Sequence, residues 1–103
     1  MAAVAPDRAY PLHDALSFEE GASLGVNFLT AVFALGRRAA LQAGETVLVL
    51  GAAGGLGSAT VSVAKAYGAR VLAVVSTEER VATARSAGAD EVVAGADWRD
   101  RIL

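Results

Sequence analysis

Cysteine is absent from the 103 residues. Disulfides and thiolate metal sites are therefore excluded. Proline occurs only as Pro6 and Pro11, and aromatics are limited to three Phe, two Tyr and one Trp. Long hydrophobic runs are lacking too. Runs such as Thr46–Leu50 and Val71–Val75 are strand-length, far short of the roughly 20 residues of a membrane span. The first ten residues hold no charged segment leading into an apolar one, so no secretory signal is expected and the cytoplasm is the expected location. Charge of one sign is not in excess: the formal net charge is −2. That argues against a basic nucleic-acid-binding face. What is abundant is alanine, at 24 positions, in a chain that is 54% hydrophobic. Such a chain collapses, but small side chains bury little area each. A single domain of this size is expected to be marginally stable.

Residues 1–16 read as an irregular lead-in, punctuated by Pro6, Asp7 and Pro11, with Leu12 as its main apolar residue. Ser17-Phe18-Glu19-Glu20 has the pattern of a capping box and predicts a helix start. Gly25 interrupts the helical pattern. A second helix is predicted from Asn27 to about Leu41, with Phe28, Leu29, Val32, Phe33 and Leu35 as its apolar face. Thr46–Leu50 is then apolar without alternation, as suits a central parallel strand. A glycine-rich loop follows, then a helix from Ser58 to about Tyr67, ended by Gly68 as an αL cap. Arg70–Val75 is a second buried strand, Ser76-Thr77-Glu78-Glu79 a second capping box, and Asp90–Ala94 a short third strand. Asp97 caps a final turn containing Trp98. The order β-α-β-α-β-α predicts an α/β fold with a parallel sheet and right-handed crossovers.

The glycine loop is the central signal. Gly51-Ala52-Ala53-Gly54-Gly55-Leu56-Gly57 lies between a predicted strand and a predicted helix. Read as G-x-G-x-x-G, its three positions are Ala52, Gly54 and Gly57. Gly51 and Ala52 turn the chain sharply. Gly54 lets backbone approach a pyrophosphate, and Gly57 lets the helix pack closely on the strand. The helix start offers free N–H groups to phosphate. Read blandly, the same loop is a tight strand-to-helix turn. At the tip of the second strand, an NAD site usually carries Asp or Glu. Here the tip is Val75-Ser76-Thr77. Ser76 is neutral and can donate to a 2′-phosphate, and Arg80, one turn on, can bring charge to the same spot. This favours NADP over NAD. The competing reading makes Ser76 an ordinary N-cap and Arg80 a solvated side chain, with Glu78 and Glu79 lowering the local potential.

Several segments together carry a resemblance: Leu16–Ala22, Asn27–Ala31, Gly44–Val49, Gly51–Gly57 and Ala87–Asp90. In order and spacing the chain resembles the medium-chain dehydrogenase/reductase superfamily, and most of all its NADPH-dependent quinone oxidoreductase branch. The resemblance implies a partial Rossmann-type, doubly wound parallel sheet of about three strands preceded by two helices. It implies NADP(H) as cofactor and hydride transfer to a quinone or α,β-unsaturated carbonyl. Gly54, Gly55, Leu56 and Gly57 would contact the pyrophosphate, and Ser76 and Arg80 the 2′-phosphate. Asn27 and Thr30 would open a helix running close to the nicotinamide; equally, Asn27 reads as an N-cap and Thr30 as packing.

Zinc-dependent relatives usually place a metal ligand just ahead of that helix. The matching residue is Val26, and His13 is the only histidine, so no metal site is expected. Some relatives carry a Tyr after the third strand, where this chain has Ala94-Gly95-Ala96. The resemblance further implies that residues 1–16 are the tail of a substrate domain, 17–43 connecting helices, and 44–103 the first half of the cofactor domain. No catalytic residue is named. The expected partners are a small quinone or enone and a second subunit of the parent, with no nucleic acid or membrane. The chain alone is expected to be inactive, with the edge of Thr46–Leu50 left open to self-association. An enoyl thioester reductase or alcohol dehydrogenase of the same superfamily, and a non-catalytic nucleotide- or partner-binding module, stand as alternatives.

Overall fold

The computed structural model describes residues 3–103. Three parallel strands, β1 (Thr46–Leu50), β2 (Arg70–Val75) and β3 (Glu91–Ala94), form one sheet in the order β1-β2-β3. Thr46 pairs with Arg70 and Leu50 with Val74; Leu72 pairs with Glu91 and Val75 with Ala94. Among the described residues four α-helices accompany them: α1 (Phe18–Val32), α2 (Gly55–Ala66), α3 (Val81–Ser86) and α4 (Trp98–Ile102). Helices α2 and α3 are the crossovers between successive strands, so the βαβ order read from the apolar runs is present.

Alternation along the strands divides the sheet into two unlike faces. Val49, Val71, Ala73, Val75 and Ala94 join one core with Ala59, Val61, Val63 and Ala64 of α2 and Ala84 of α3. Ala59, Ala64, Ala73 and Ala84 are all but fully buried. Their small side chains bring helix and sheet backbones close together. The other face carries Leu48 and Leu50, which are 39% and 57% exposed. The continuous apolar pattern of Thr46–Leu50 predicted cover on both sides; among the described residues β1 is covered on one. α1 reaches the core by packing on α2 through the buried Ala31 and the half-buried Phe28.

The lead-up to the sheet differs from its prediction. Ser17 makes the expected capping box: its Oγ accepts from Glu20 N–H at 3.1 Å, and Glu20 Oε2 accepts from Ser17 N–H at 2.8 Å. Gly25, however, does not divide two helices. α1 runs straight through it, because one interior glycine costs only about 1 kcal/mol relative to Ala and the contacts of α1 with α2 exceed that. The change comes at Phe33, where the helix widens into a π-helical segment, Phe33–Arg38. Ala39 N–H bonds to Ala34 O and Leu41 N–H to Leu35 O. The wide turn and the left-handed Ala40 (φ +49) leave both Leu35 and Leu41 buried.

Other boundaries shift by a few residues. α2 begins at Gly55, ahead of Ser58, and Gly68 follows it at φ +82 as expected. The second capping box does not form. Thr77, in extended backbone, precedes a 3₁₀ turn (Glu78–Arg80) without a side-chain cap, and α3 starts at Val81. Asp97 precedes α4 but its side chain makes no capping bond. β3 starts at Glu91 because Asp90 is engaged as a clamp. Its Oδ2 accepts from Val71 N–H at 2.7 Å, and Lys65 Nζ donates to both its oxygens, at 3.0 and 2.9 Å. The clamp joins the end of α2 to the starts of β2 and β3.

The Val71 amide and then the Lys65 ammonium hold the Asp90 carboxyl below its ordinary value of 3.8. A depressed folded-state pKa means the unfolded chain binds the proton more readily. The stabilisation is therefore present above the ordinary carboxylate range and lost as pH falls through the depressed value. Urea midpoints measured from about pH 6 down to about pH 2 should drop for the unsubstituted protein more than for Asp90→Asn. Parallel curves would remove Asp90 from the acid response.

Candidate cofactor-binding site

The site is built at the carboxyl end of the sheet, where parallel strands leave a crevice for ligands. β1 ends at Leu50, and Gly51 turns the chain in the left-handed region at φ +65. The turning role in this motif thus falls to Gly51. Ala52 is fully buried, its methyl in the core, which explains alanine at the first glycine position. Ala52 N–H donates to Val74 O at 3.0 Å, fastening the loop to the end of β2. Gly54 N–H donates to Gly51 O at 3.0 Å, and Gly54 becomes the N-cap of α2 without any side-chain bond.

Ser58 is the first amide of α2 to bond backwards, to Gly54 O at 2.8 Å. The N–H groups of Gly55, Leu56 and Gly57 are therefore left pointing out of the helix start. A Cβ on Gly57 would overlap the Gly51 carbonyl and lie 2.8 Å from Ala52 Cα. A Cβ on Gly54 would meet only Gly51 O, at 3.4 Å. Gly57 thus serves the fold, and Gly54 leaves open space above the turn. A cavity of about 510 Å³ lies there, lined by Gly54, Gly55, Leu56 and Gly57 together with Gly51, Thr60 and β1 residues. The free amides, the positive end of a 12-residue helix and the absent Cβ atoms fit a pyrophosphate.

Ser76 follows the last residue of β2, two positions beyond the Val74 carbonyl that anchors the glycine loop. It is exposed, and among the described residues its hydroxyl has no hydrogen-bond partner. The failed capping box thus leaves Ser76 free. Arg80 N–H closes the 3₁₀ turn onto Thr77 O at 3.1 Å, and its side chain is exposed. Neither residue lines the 510 Å³ cavity. Asn27 lies inside α1, not at its start, so the N-cap reading of this residue is corrected. Its Nδ2 stands 2.8 Å from where a Cβ on Gly55 would be. Thr30 is exposed on α1 and lines no part of the cavity. Sequence reasoning did not single out Thr60, Leu48 or Leu50 as lining residues, and the Thr60 hydroxyl is already bonded to Leu56 O. Nothing in the sequence marks a strand's outer residues as cavity walls.

Among the described residues no group of three or more His, Asp and Glu side chains converges as a metal site. Val26 carries no donor, and His13 Nδ1 is occupied by Ala15 N–H at 3.1 Å. The donor set does not fit a zinc ion.

The family described as zinc-binding dehydrogenase matches residues 55–103. The quinone oxidoreductase of Mus musculus is 45% identical over 91 residues, 88% of this chain and 28% of that protein. Among solved structures, the quinone oxidoreductase of Thermus thermophilus, studied also in complex with NADPH, is 48% identical. It superposes with a TM-score of 0.82 over 88% of this chain and 30% of that one. A probable oxidoreductase from Mycobacterium abscessus is 44% identical with a TM-score of 0.92, over 97% of this chain and 33% of that one. The chain belongs to the medium-chain dehydrogenase/reductase superfamily. It spans about 28% of the length of the curated quinone oxidoreductases it matches.

Proposed function

We propose that these residues hold the cofactor in an oxidoreductase that moves hydride from NADPH to a quinone or an α,β-unsaturated carbonyl. The observation that carries the reading is the row of amides at Gly55–Gly57, unpartnered among the described residues, with the likewise unpartnered Ser76 hydroxyl at the tip of β2. Related quinone oxidoreductases, one of them solved with NADPH, support it. In this reading the α2 start binds the pyrophosphate, and Ser76 and Arg80 hold the 2′-phosphate. Thr30 faces the nicotinamide side of α1. NADPH supplies the hydride, while the residues described here bind and orient it. Residues 1–16 are read as the tail of a substrate domain, 17–43 as the connecting helical segment, and 44–103 as the first half of the cofactor domain. The parent is read as a homodimer in the cytoplasm. No helix among the described residues is long and apolar enough to cross a membrane.

The test is NADPH oxidation by the full-length protein with 1,4-benzoquinone and with a simple enone. Quinone- or enone-dependent oxidation is expected. NADPH binding without turnover on either acceptor would contradict the substrate class and leave the cofactor assignment standing.

A further inference from the structure

We propose that Asn27 is a positioning residue for the phosphate held at the start of α2, and that position 55 is glycine to make room for it. This deepens the cofactor reading above and rests on it.

Asn27 sits well inside α1 (Phe18–Val32), where asparagine is a poor helix former and too far from the end to cap it. It is half-buried at the contact between α1 and α2. Its amide end leads toward Gly55: Nδ2 is 2.8 Å from the would-be Cβ, Cγ 3.6 Å and Oδ1 3.9 Å. Among the described residues neither amide atom has a hydrogen-bond partner. None of Gly54, Gly55, Leu56 and Gly57 carries a polar side chain. The next residue, Ser58, already donates its hydroxyl to Gly55 O at 3.2 Å, so a further side-chain donor has to arrive from another element, and α1 delivers one. Backbone amides bind the anion from below, and the Asn27 amide adds a directed, uncharged donor from the side. A methyl on Gly55 would displace that amide. Gly55 thus differs from Gly57, whose would-be Cβ meets backbone, and from Gly54, whose would-be Cβ meets only the Gly51 carbonyl oxygen at the edge of ordinary contact.

The experiment uses the full-length protein, reading NADPH affinity by fluorescence titration and ligand-free melting temperature. Asn27→Asp keeps the size of the side chain. A carboxylate beside a helix start stabilises the empty protein and repels phosphate. The expected result is a ligand-free melting temperature unchanged or raised. NADPH affinity falls at least about tenfold, and the deficit shrinks as salt is added. Asn27→Ala is expected to lose about fivefold in affinity, the worth of one hydrogen bond. Gly55→Ala is expected to lower affinity with little change in melting temperature, because its methyl meets only the far end of the Asn27 side chain, which can swing aside. A merely structural Asn27 would not move affinity and ligand-free stability in opposite directions. If the unsubstituted protein binds NADPH and both Asn27 variants match it, this proposal is overturned alone. If the unsubstituted protein binds neither NADPH nor NADH, the cofactor reading falls and takes this proposal with it.

Discussion

Gly57→Ala is expected to lower the melting temperature by roughly 10 °C, whereas Gly54→Ala leaves it nearly unchanged and weakens NADPH binding instead. At Gly57 the added methyl meets the Gly51 carbonyl and Ala52 Cα, both backbone. No flexible side chain can swing aside, so α2 must lift from the loop. Overpacking of this kind costs about 1–3 kcal/mol, more than the roughly 1 kcal/mol that alanine gains over glycine in a helix. For a domain of this size each kcal/mol moves the midpoint by about 4–8 °C. Gly54 sits at φ −79 and ψ 172, which alanine adopts freely, and its methyl would only touch Gly51 O at 3.4 Å. That methyl would stand over the free amides, where the pyrophosphate is placed, so affinity is expected to fall about tenfold or more. Thermal melting with a parallel NADPH titration separates the two. A Gly57→Ala protein that melts with the unsubstituted one would refute the close seating of α2 on the loop.

Ser76→Asp is expected to reverse the choice between cofactors, with NADPH binding falling about a hundredfold and NADH holding or improving. A carboxylate at the tip of β2 accepts from a ribose 2′-OH and repels a 2′-phosphate. Ser76 is exposed and among the described residues its hydroxyl has no partner, so the change disturbs no bond seen there. Arg80→Ala should act in the same sense but more weakly, about five- to tenfold on NADPH alone. Its exposed guanidinium works against solvent screening. Dissociation constants for both cofactors give the ratio. Equal losses for NADPH and NADH in Arg80→Ala would remove that residue from 2′-phosphate recognition.

The strands were legible because each is a self-contained run. Thr46–Leu50 and Arg70–Val75 form with the predicted ends. Gly51 punctuates one, and the turn after Val75 the other. The glycine motif was legible for a related reason: its geometry is local, set by the left-handed turn at Gly51 and the close approach of Gly57 to the Gly51 carbonyl. What sequence did not reveal depends on distant partners. Gly25 weakens a helix in isolation, yet α2 lies alongside and holds α1 continuous. The π-helical segment at Phe33–Arg38 has no local signature, although Gly36 backs onto the distant Tyr67 hydroxyl. Ser76 looked like a cap because Ser-x-x-Glu is a capping pattern, but β2 ends directly before it and the following turn is 3₁₀. Asn27 read locally as an N-cap, yet it lies inside α1. Its place over Gly55 follows from the packing of α1 on α2, which periodicity cannot register.

The turn from Gly51 to Gly57, together with Ser76 and Arg80, is proposed to hold NADPH. Calorimetric titration of the full-length protein with NADPH and then NADH tests it most directly. NADPH is expected to bind, and more tightly than NADH. Binding of neither cofactor, or tighter binding of NADH, would contradict the account.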